Sequence, residues 1–206
     1  MRVFHGLEAA RAAVLSRPPM EERDLPDHVA QRMVEVFGEP LTAAQAVQRI
    51  IADIRARGDD ALRHYTRELD GVAEPTLEVT AAEIDAAYAA TDPKVLDALR
   101  LAAERVRRFH ERAKPGTWVD FETGLGQLVR PMDRVGLYVP GGRAAYPSTV
   151  LMTAIPAKVA GVPEVVLITP PDRSGNAHPL VLAAAKIAGC DRIIKAGGRC
   201  RCGPAG

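Results

Sequence analysis

Cysteine is scarce: Cys190, Cys200 and Cys202 are the three in a chain of 206 residues. They are too few and too close to the end to staple a disulfide-rich fold, so they read as thiols. Neither sign of charge dominates. With 27 basic against 26 acidic residues and a formal net charge of +1, no overall field draws the molecule to nucleic acid or an anionic membrane, although a local patch stays open. Long apolar runs are missing too. The longest uncharged stretch, residues 144–157, contains Pro147 and Pro156 and falls short of the roughly 20 residues that cross a bilayer. The start, Met-Arg-Val-Phe-His-Gly-Leu-Glu, has no apolar run of signal-peptide length before Glu8, so the expected location is cytoplasmic, with neither nucleic acid nor membrane as partner.

What is present is a composition that folds. The 47% hydrophobic and 26% charged residues lie far from the regime in which a chain cannot offset its ordering entropy. The length suits one ordinary domain with a smaller appendage. The first half predicts helices. From a Thr42 N-cap, Ala43, Ala46, Val47, Ile50, Ile51 and Ile54 make one stripe, and Gly58 is placed to end it. A second helix from Asp59 or Asp60 carries Ala61, Leu62, Tyr65 and Leu69 and closes at Asp70-Gly71. Thr80-Ala-Ala-Glu83 has the residues of a capping box, and Asp92-Pro93 starts the clearest helix, with Val95, Leu99, Ala102, Val106 and Phe109 as its apolar line. That pattern stops near Lys114-Pro115-Gly116, too short for an isolated coiled coil, so the helix packs within a domain.

Beyond this turn the periodicity changes. Residues 118–121 and 127–130 predict a hairpin. Three short apolar runs follow, residues 135–139, 164–169 and 191–195, with helical segments at 148–160 and 178–188 between them. This is a βαβαβ pattern, which implies a parallel sheet with right-handed crossovers covered by helices. Pro156 is expected to kink or restart the first crossover helix. The predicted organisation is a helical region over 1–114, a Rossmann-like half-domain over 115–198 and a separate tail over 199–206.

Open parallel sheets bind ligands beyond the carboxyl ends of their strands. That points to Tyr138-Val-Pro-Gly-Gly142, where Gly141 and Gly142 allow close backbone approach and Ser148 and Thr149 stand near the next helix start. The loop is neither G-x-G-x-x-G nor a Walker sequence, and Gly-Gly after a strand is often only a turn; an aromatic closing an apolar strand usually packs, so only the place of Tyr138 at the strand's carboxyl end favours a ligand contact. His5, His28, His64, His110 and His178 lack metal-ligand spacing and read as surface or packing residues. Cys200-Arg-Cys202 lacks two further spaced ligands. No G-x-S-x-G sequence marks a serine hydrolase, and no acid-base pair of carboxylates can be singled out.

From Arg134-Val-Gly-Leu-Tyr-Val-Pro-Gly-Gly-Arg through Tyr-Pro-Ser-Thr-Val-Leu-Met-Thr-Ala-Ile-Pro-Ala-Lys-Val-Ala-Gly161, and on through Glu164-Val-Val-Leu-Ile-Thr-Pro-Pro171, the chain resembles histidinol dehydrogenases. Upstream the likeness takes in residues 50–67, the Asp70-Gly71 turn and the Phe109-His110 helix end, roughly 40–198 in all. The resemblance implies an aldehyde dehydrogenase-like α/β architecture with an incomplete Rossmann-like unit. It also implies a zinc- and NAD-dependent homodimer of histidine biosynthesis that oxidises L-histidinol to L-histidine. By the same likeness Tyr138 is the tyrosine that contacts NAD, and Gly141 and Gly142, read above as allowing close backbone approach, are the further cofactor-binding candidates.

The family pattern Gly-Gly-Ala-Gln reads Gly197-Gly-Arg-Cys200 here, so Cys200 stands where a second NAD contact is a glutamine. After Gly198 the sequence leaves the pattern and gives Arg-Cys-Arg-Cys-Gly-Pro-Ala-Gly206. A reading-frame change or a shortened gene product accounts for such a switch. The family's zinc ligands, its Glu-His acid-base pair and most substrate contacts fall later, so no residue here inherits a catalytic role. The expectation is a truncated chain, inactive alone and prone to aggregate through uncovered edges and faces. The alternative is a noncatalytic module that docks on a full-length homologue.

Overall fold

The computed structural model describes residues 5–14, 27–73, 76–141 and 145–197. They fall into two compact units, one reaching to Ala52 and one starting at Asp53. The first holds α1 (Leu7–Val14), α2 (Asp27–Phe37) and most of α3 (Ala43–Arg57). α3 begins on a reciprocal cap: the Gln45 amide donates to Thr42 Oγ1 at 3.2 Å, and the Gln45 side-chain oxygen accepts from the Thr42 amide at 2.9 Å. Each bond satisfies a donor that the first helical turn leaves free. Of its predicted stripe Ala46 is buried, whereas Val47 and Ile51 are exposed.

The second unit carries the sheet. α4 (Asp59–Tyr65) runs into a wider π-turn over Thr66–Asp70, which ends at Gly71 with φ 73°, a backbone that glycine takes without strain. α5 (Ala81–Ala90) starts on its capping box, with Thr80 Oγ1 accepting the Glu83 amide at 3.2 Å and the Glu83 carboxylate accepting the Thr80 amide at 2.7 Å. α6 (Pro93–Ala113) starts where Asp92 accepts the Lys94 amide at 2.7 Å. Its buried line is Leu96, Leu99 and Ala103, while Val95, Ala102 and Phe109 of the expected stripe are exposed. Both lines have helical spacing, so spacing alone does not choose between them; packing against the later helices Pro147–Ala160 and Pro179–Ala188 does.

β1 (Trp118–Asp120) and β2 (Leu125–Gln127) pair antiparallel, with Trp118 opposite Gln127. The second strand comes earlier than predicted because the turn fills residues 121–124, held by the Asp120 carboxylate, which accepts the Glu122 amide at 2.9 Å and the Thr123 hydroxyl at 2.6 Å. Then β3 (Arg134–Tyr138), α7 (Pro147–Ala160), β4 (Glu164–Thr169), α8 (Pro179–Ala188) and β5 (Arg192–Lys195) build the βαβαβ unit, an α/β fold with parallel strands in the order β3-β4-β5. α7 passes Pro156 as one helix and does not restart. The carbonyl that loses its donor belongs to Met152, an exposed residue that water can reach.

Strand residues alternate in direction. Val135, Leu137, Val165, Leu167 and Ile193 pack with Val150, Leu151, Ile155 and Val181 in one core. Leu151, Ile155, Leu167 and Ile193 are fully buried there, each stabilising the fold by roughly 1.5–3 kcal/mol. The other face, with Gly136, Tyr138, Val166, Ile168 and Ile194, is exposed or half-buried. Helical cover is thus complete on one face of the sheet among the described residues. Past β5 an extended segment adds an antiparallel rung, the Val79 amide donating to the Ile193 carbonyl at 2.9 Å and the Lys195 amide to the Leu77 carbonyl at 2.6 Å.

Candidate functional site

The strand ends converge on Pro170. This buried residue follows β4 directly. A Cβ on Gly141 would lie 2.6 Å from its Cγ, and a Cβ on Gly197 would lie 2.3 Å from its Cβ. Packing around one proline therefore requires glycine at the exits of both β3 and β5. For Gly141 this is a reason beyond close approach of a ligand.

Beside these exits a cavity of about 440 Å³ opens at the carboxyl ends of β3 and β4, within the ordinary range for small-molecule sites. Pro140, Gly141 and Thr169 border it from the strand ends, Pro170 to Ser174 and Asn176 from the loop after β4, and His178, Pro179 and Val181 from the start of α8. Thr169 continues the buried series Val165, Leu167, Thr169 on β4. It is only 2% exposed. Its hydroxyl makes no hydrogen bond to a described residue and is open to whatever fills the cavity.

The loop after β4 is tied to Asp172. Asp172 Oδ1 accepts the Ser174 amide at 2.8 Å and the Asn176 amide at 3.0 Å, and the Asp172 amide donates to the Asn176 carbonyl at 2.8 Å. Asp172 Oδ2 carries no hydrogen bond to a described residue. The two helix starts differ. His178 Nδ1 accepts the Leu180 amide at 3.2 Å and closes the start of α8. α7 has no side-chain cap, although the Thr149 amide donates to the Tyr146 carbonyl at 3.1 Å. Ser148 and Thr149 do not border the cavity.

The predicted site residues separate. Gly141 borders the cavity, whereas Tyr138, 55% exposed on the sheet face away from the core, does not. Partial burial pushes the Tyr138 hydroxyl above the usual phenol range, and the negative charge of Asp70 adds to this. Gly142, Cys200 and Cys202 lie outside the described residues. Thr169 and Asp172 were missed from sequence. The available signals were the alternation that turns Thr169 toward the core side and the acidic residue just past the second strand of a βαβ unit.

The residues present suit a dinucleotide better than a metal. The cavity offers an unpartnered hydroxyl, a held carboxylate and proline rings for an apolar ring system. By contrast, no three His, Cys, Asp or Glu side chains come together among the described residues in a way that could hold a metal ion, so zinc has no donor set within them. His64 and His110 make edge-on ring contacts with Tyr65 and Phe109 instead. Burial pushes the Cys190 thiol up to about 12, the Asp191 charge adding and Lys158 opposing, so it is a neutral thiol rather than a metal-ready thiolate at ordinary pH.

The family profile described as histidinol dehydrogenase matches residues 38–200. A histidinol dehydrogenase of Deinococcus radiodurans is 48% identical over 200 residues, covering 96% of this chain and 45% of that one. The histidinol dehydrogenase of Geobacter metallireducens is 52% identical over 164 residues, covering 75% of this chain and 36% of that one. The crystal structure of histidinol dehydrogenase from Elizabethkingia anophelis superposes with a TM-score of 0.71 at 34% identity, over 77% of this chain and 37% of that one. The chain thus spans less than half the length of these relatives, and by both sequence and fold it belongs to the histidinol dehydrogenase family.

Proposed function

We propose that this chain forms the nucleotide-holding part of an NAD-dependent histidinol dehydrogenase, working in the cytoplasm within a homodimer and taking L-histidinol through the aldehyde to L-histidine. The observation that supports this reading is the cavity at the ends of β3 and β4, with the Thr169 hydroxyl and the Asp172 carboxylate on its border. NAD, when bound, accepts a hydride from the carbon being oxidised. The chain's own part is to hold it. Gly141 lets main chain border the site without a side chain in the way, Thr169 offers a hydroxyl, and the Asp172 turn presents a fixed carboxylate. Tyr138, at the last position of β3, is proposed as a further contact where the dinucleotide extends past the cavity over the strand ends.

Oxidising an alcohol also requires that its hydroxyl proton be taken by a base or acidified by a metal. Those groups, with zinc and the histidinol contacts, are proposed to belong to the part of the relatives' length that this chain does not span. The 206 residues alone are therefore proposed to bind NAD without oxidising histidinol. Calorimetric titration with NAD, paired with an assay for NADH on adding L-histidinol and zinc, tests both halves. The expected result is saturable NAD binding, weakened in Tyr138→Phe, with no NADH formed. Absence of NAD binding, or histidinol-dependent NADH, would contradict it. A second reading, docking on a full-length homologue, is favoured by exposed Trp118, Phe121 and Leu125 on the hairpin; failure to co-purify with such a homologue would remove it.

A further inference from the structure

We infer that Asp172 selects NAD over NADP by accepting a hydrogen bond from the 2′-hydroxyl of the adenosine ribose, with Thr169 as a buried anchor for the same nucleoside. This rests on the nucleotide reading above and adds which end of the dinucleotide enters the cavity and what decides its identity.

In a dinucleotide-binding βαβ unit, the acidic residue that reads the ribose lies just past the second strand. Here β3, α7 and β4 form that unit, and Asp172 stands three residues beyond Thr169, the last residue of β4. Its carboxylate is fixed before any ligand arrives. Oδ1 is held by the Ser174 and Asn176 amides at 2.8 and 3.0 Å, and the Gly175 amide closes the turn on the Asp172 carbonyl at 3.0 Å. With one oxygen anchored, Oδ2 has a set position and remains available to a donor.

Thr169 adds a hydroxyl on the border of the same cavity that has no hydrogen bond to a described residue, a group the nucleoside can engage. Arg173 adjoins Asp172 and borders the same cavity, so it would attract a 2′-phosphate. However, Arg173 has no ion pair or hydrogen bond with a described residue to orient it, whereas Asp172 is oriented. A phosphate at the 2′ position would meet the Asp172 carboxylate as a like charge.

The test is calorimetry on the 206-residue chain with NAD, NADP and NAD lacking the adenosine 2′-hydroxyl. Wild type is expected to prefer NAD over NADP by roughly tenfold or more and to lose a similar factor with the deoxy analogue. Asp172→Asn keeps an oxygen for the two amides, so the turn persists, yet the preference for NAD and the penalty for the deoxy analogue should both shrink to about threefold or less. Thr169→Val should weaken NAD and NADP by the same factor. Two results overturn the assignment of Asp172 while leaving the nucleotide reading intact: NAD binding with a preference that Asp172→Asn does not move, or wild type taking NADP as tightly as NAD in a manner that Arg173→Ala abolishes. Binding of neither dinucleotide would bring down both.

Discussion

A methyl group on Gly141 would come within 2.6 Å of Pro170 Cγ, a separation that no real carbon pair tolerates. Pro170 is buried and rigid, and it follows β4 directly, so it cannot yield without moving the strand end. Gly141→Ala is expected to destabilise the fold by roughly 1–3 kcal/mol. Because Gly141 borders the cavity, NAD affinity should fall even at temperatures where the variant remains folded. Denaturant unfolding and calorimetry measure the two effects, and an unchanged variant would show that the strand ends are looser than this contact implies.

The start of α5 offers a smaller and cleaner perturbation. Thr80 and Glu83 satisfy each other's backbone amides, so Thr80→Ala should cost about 1 kcal/mol, while Thr80→Ser, which keeps the hydroxyl, should stay within a few tenths. Urea midpoints for the two variants decide this. Equal loss in both would place the effect in the threonine methyl instead of the cap.

Alkali should unfold the protein partly through Cys190. Its thiol is pushed up from 9.0 to about 12, mainly by burial. Between those values the unfolded chain releases the proton while the folded chain keeps it, so the unfolded state binds fewer protons and stability falls as pH rises. This contribution is complete below about pH 9 and is lost on the way to pH 12. Comparing unfolding of wild type with Cys190→Ala across that window isolates it from other titrating groups. The gap between their pH slopes should appear only above pH 9, and parallel slopes would contradict a buried neutral thiol.

Local devices were legible in the sequence, and long-range ones were not. The caps at Thr80 and Asp92 each need only a partner within three residues, so spacing identifies them. The strand and helix order of residues 134–195 was likewise carried by short apolar runs. On α6 more apolar residues are present than the packing uses: of the predicted line Val95-Leu99-Ala102-Val106-Phe109, Leu99 and Val106 join the core, and the neighbouring helices choose Leu96 and Ala103 over Val95, Ala102 and Phe109. In the site, Gly141 was visible as a glycine after a strand, but its reason lies in Pro170, 29 positions away by their numbers. Thr169 looked like the end of an apolar strand; only the closing of the loop against α8 makes its hydroxyl a cavity group.

The most direct check is a crystal structure of the 206-residue chain grown with NAD and without histidinol. Density for the adenosine is predicted in the cavity bordered by Gly141, Thr169 and Asp172, with Thr169 Oγ1 and Asp172 Oδ2 each at about 2.7–3.2 Å from a polar atom of the nucleoside. A dinucleotide bound away from these strand ends, with the cavity holding only water, would contradict the account.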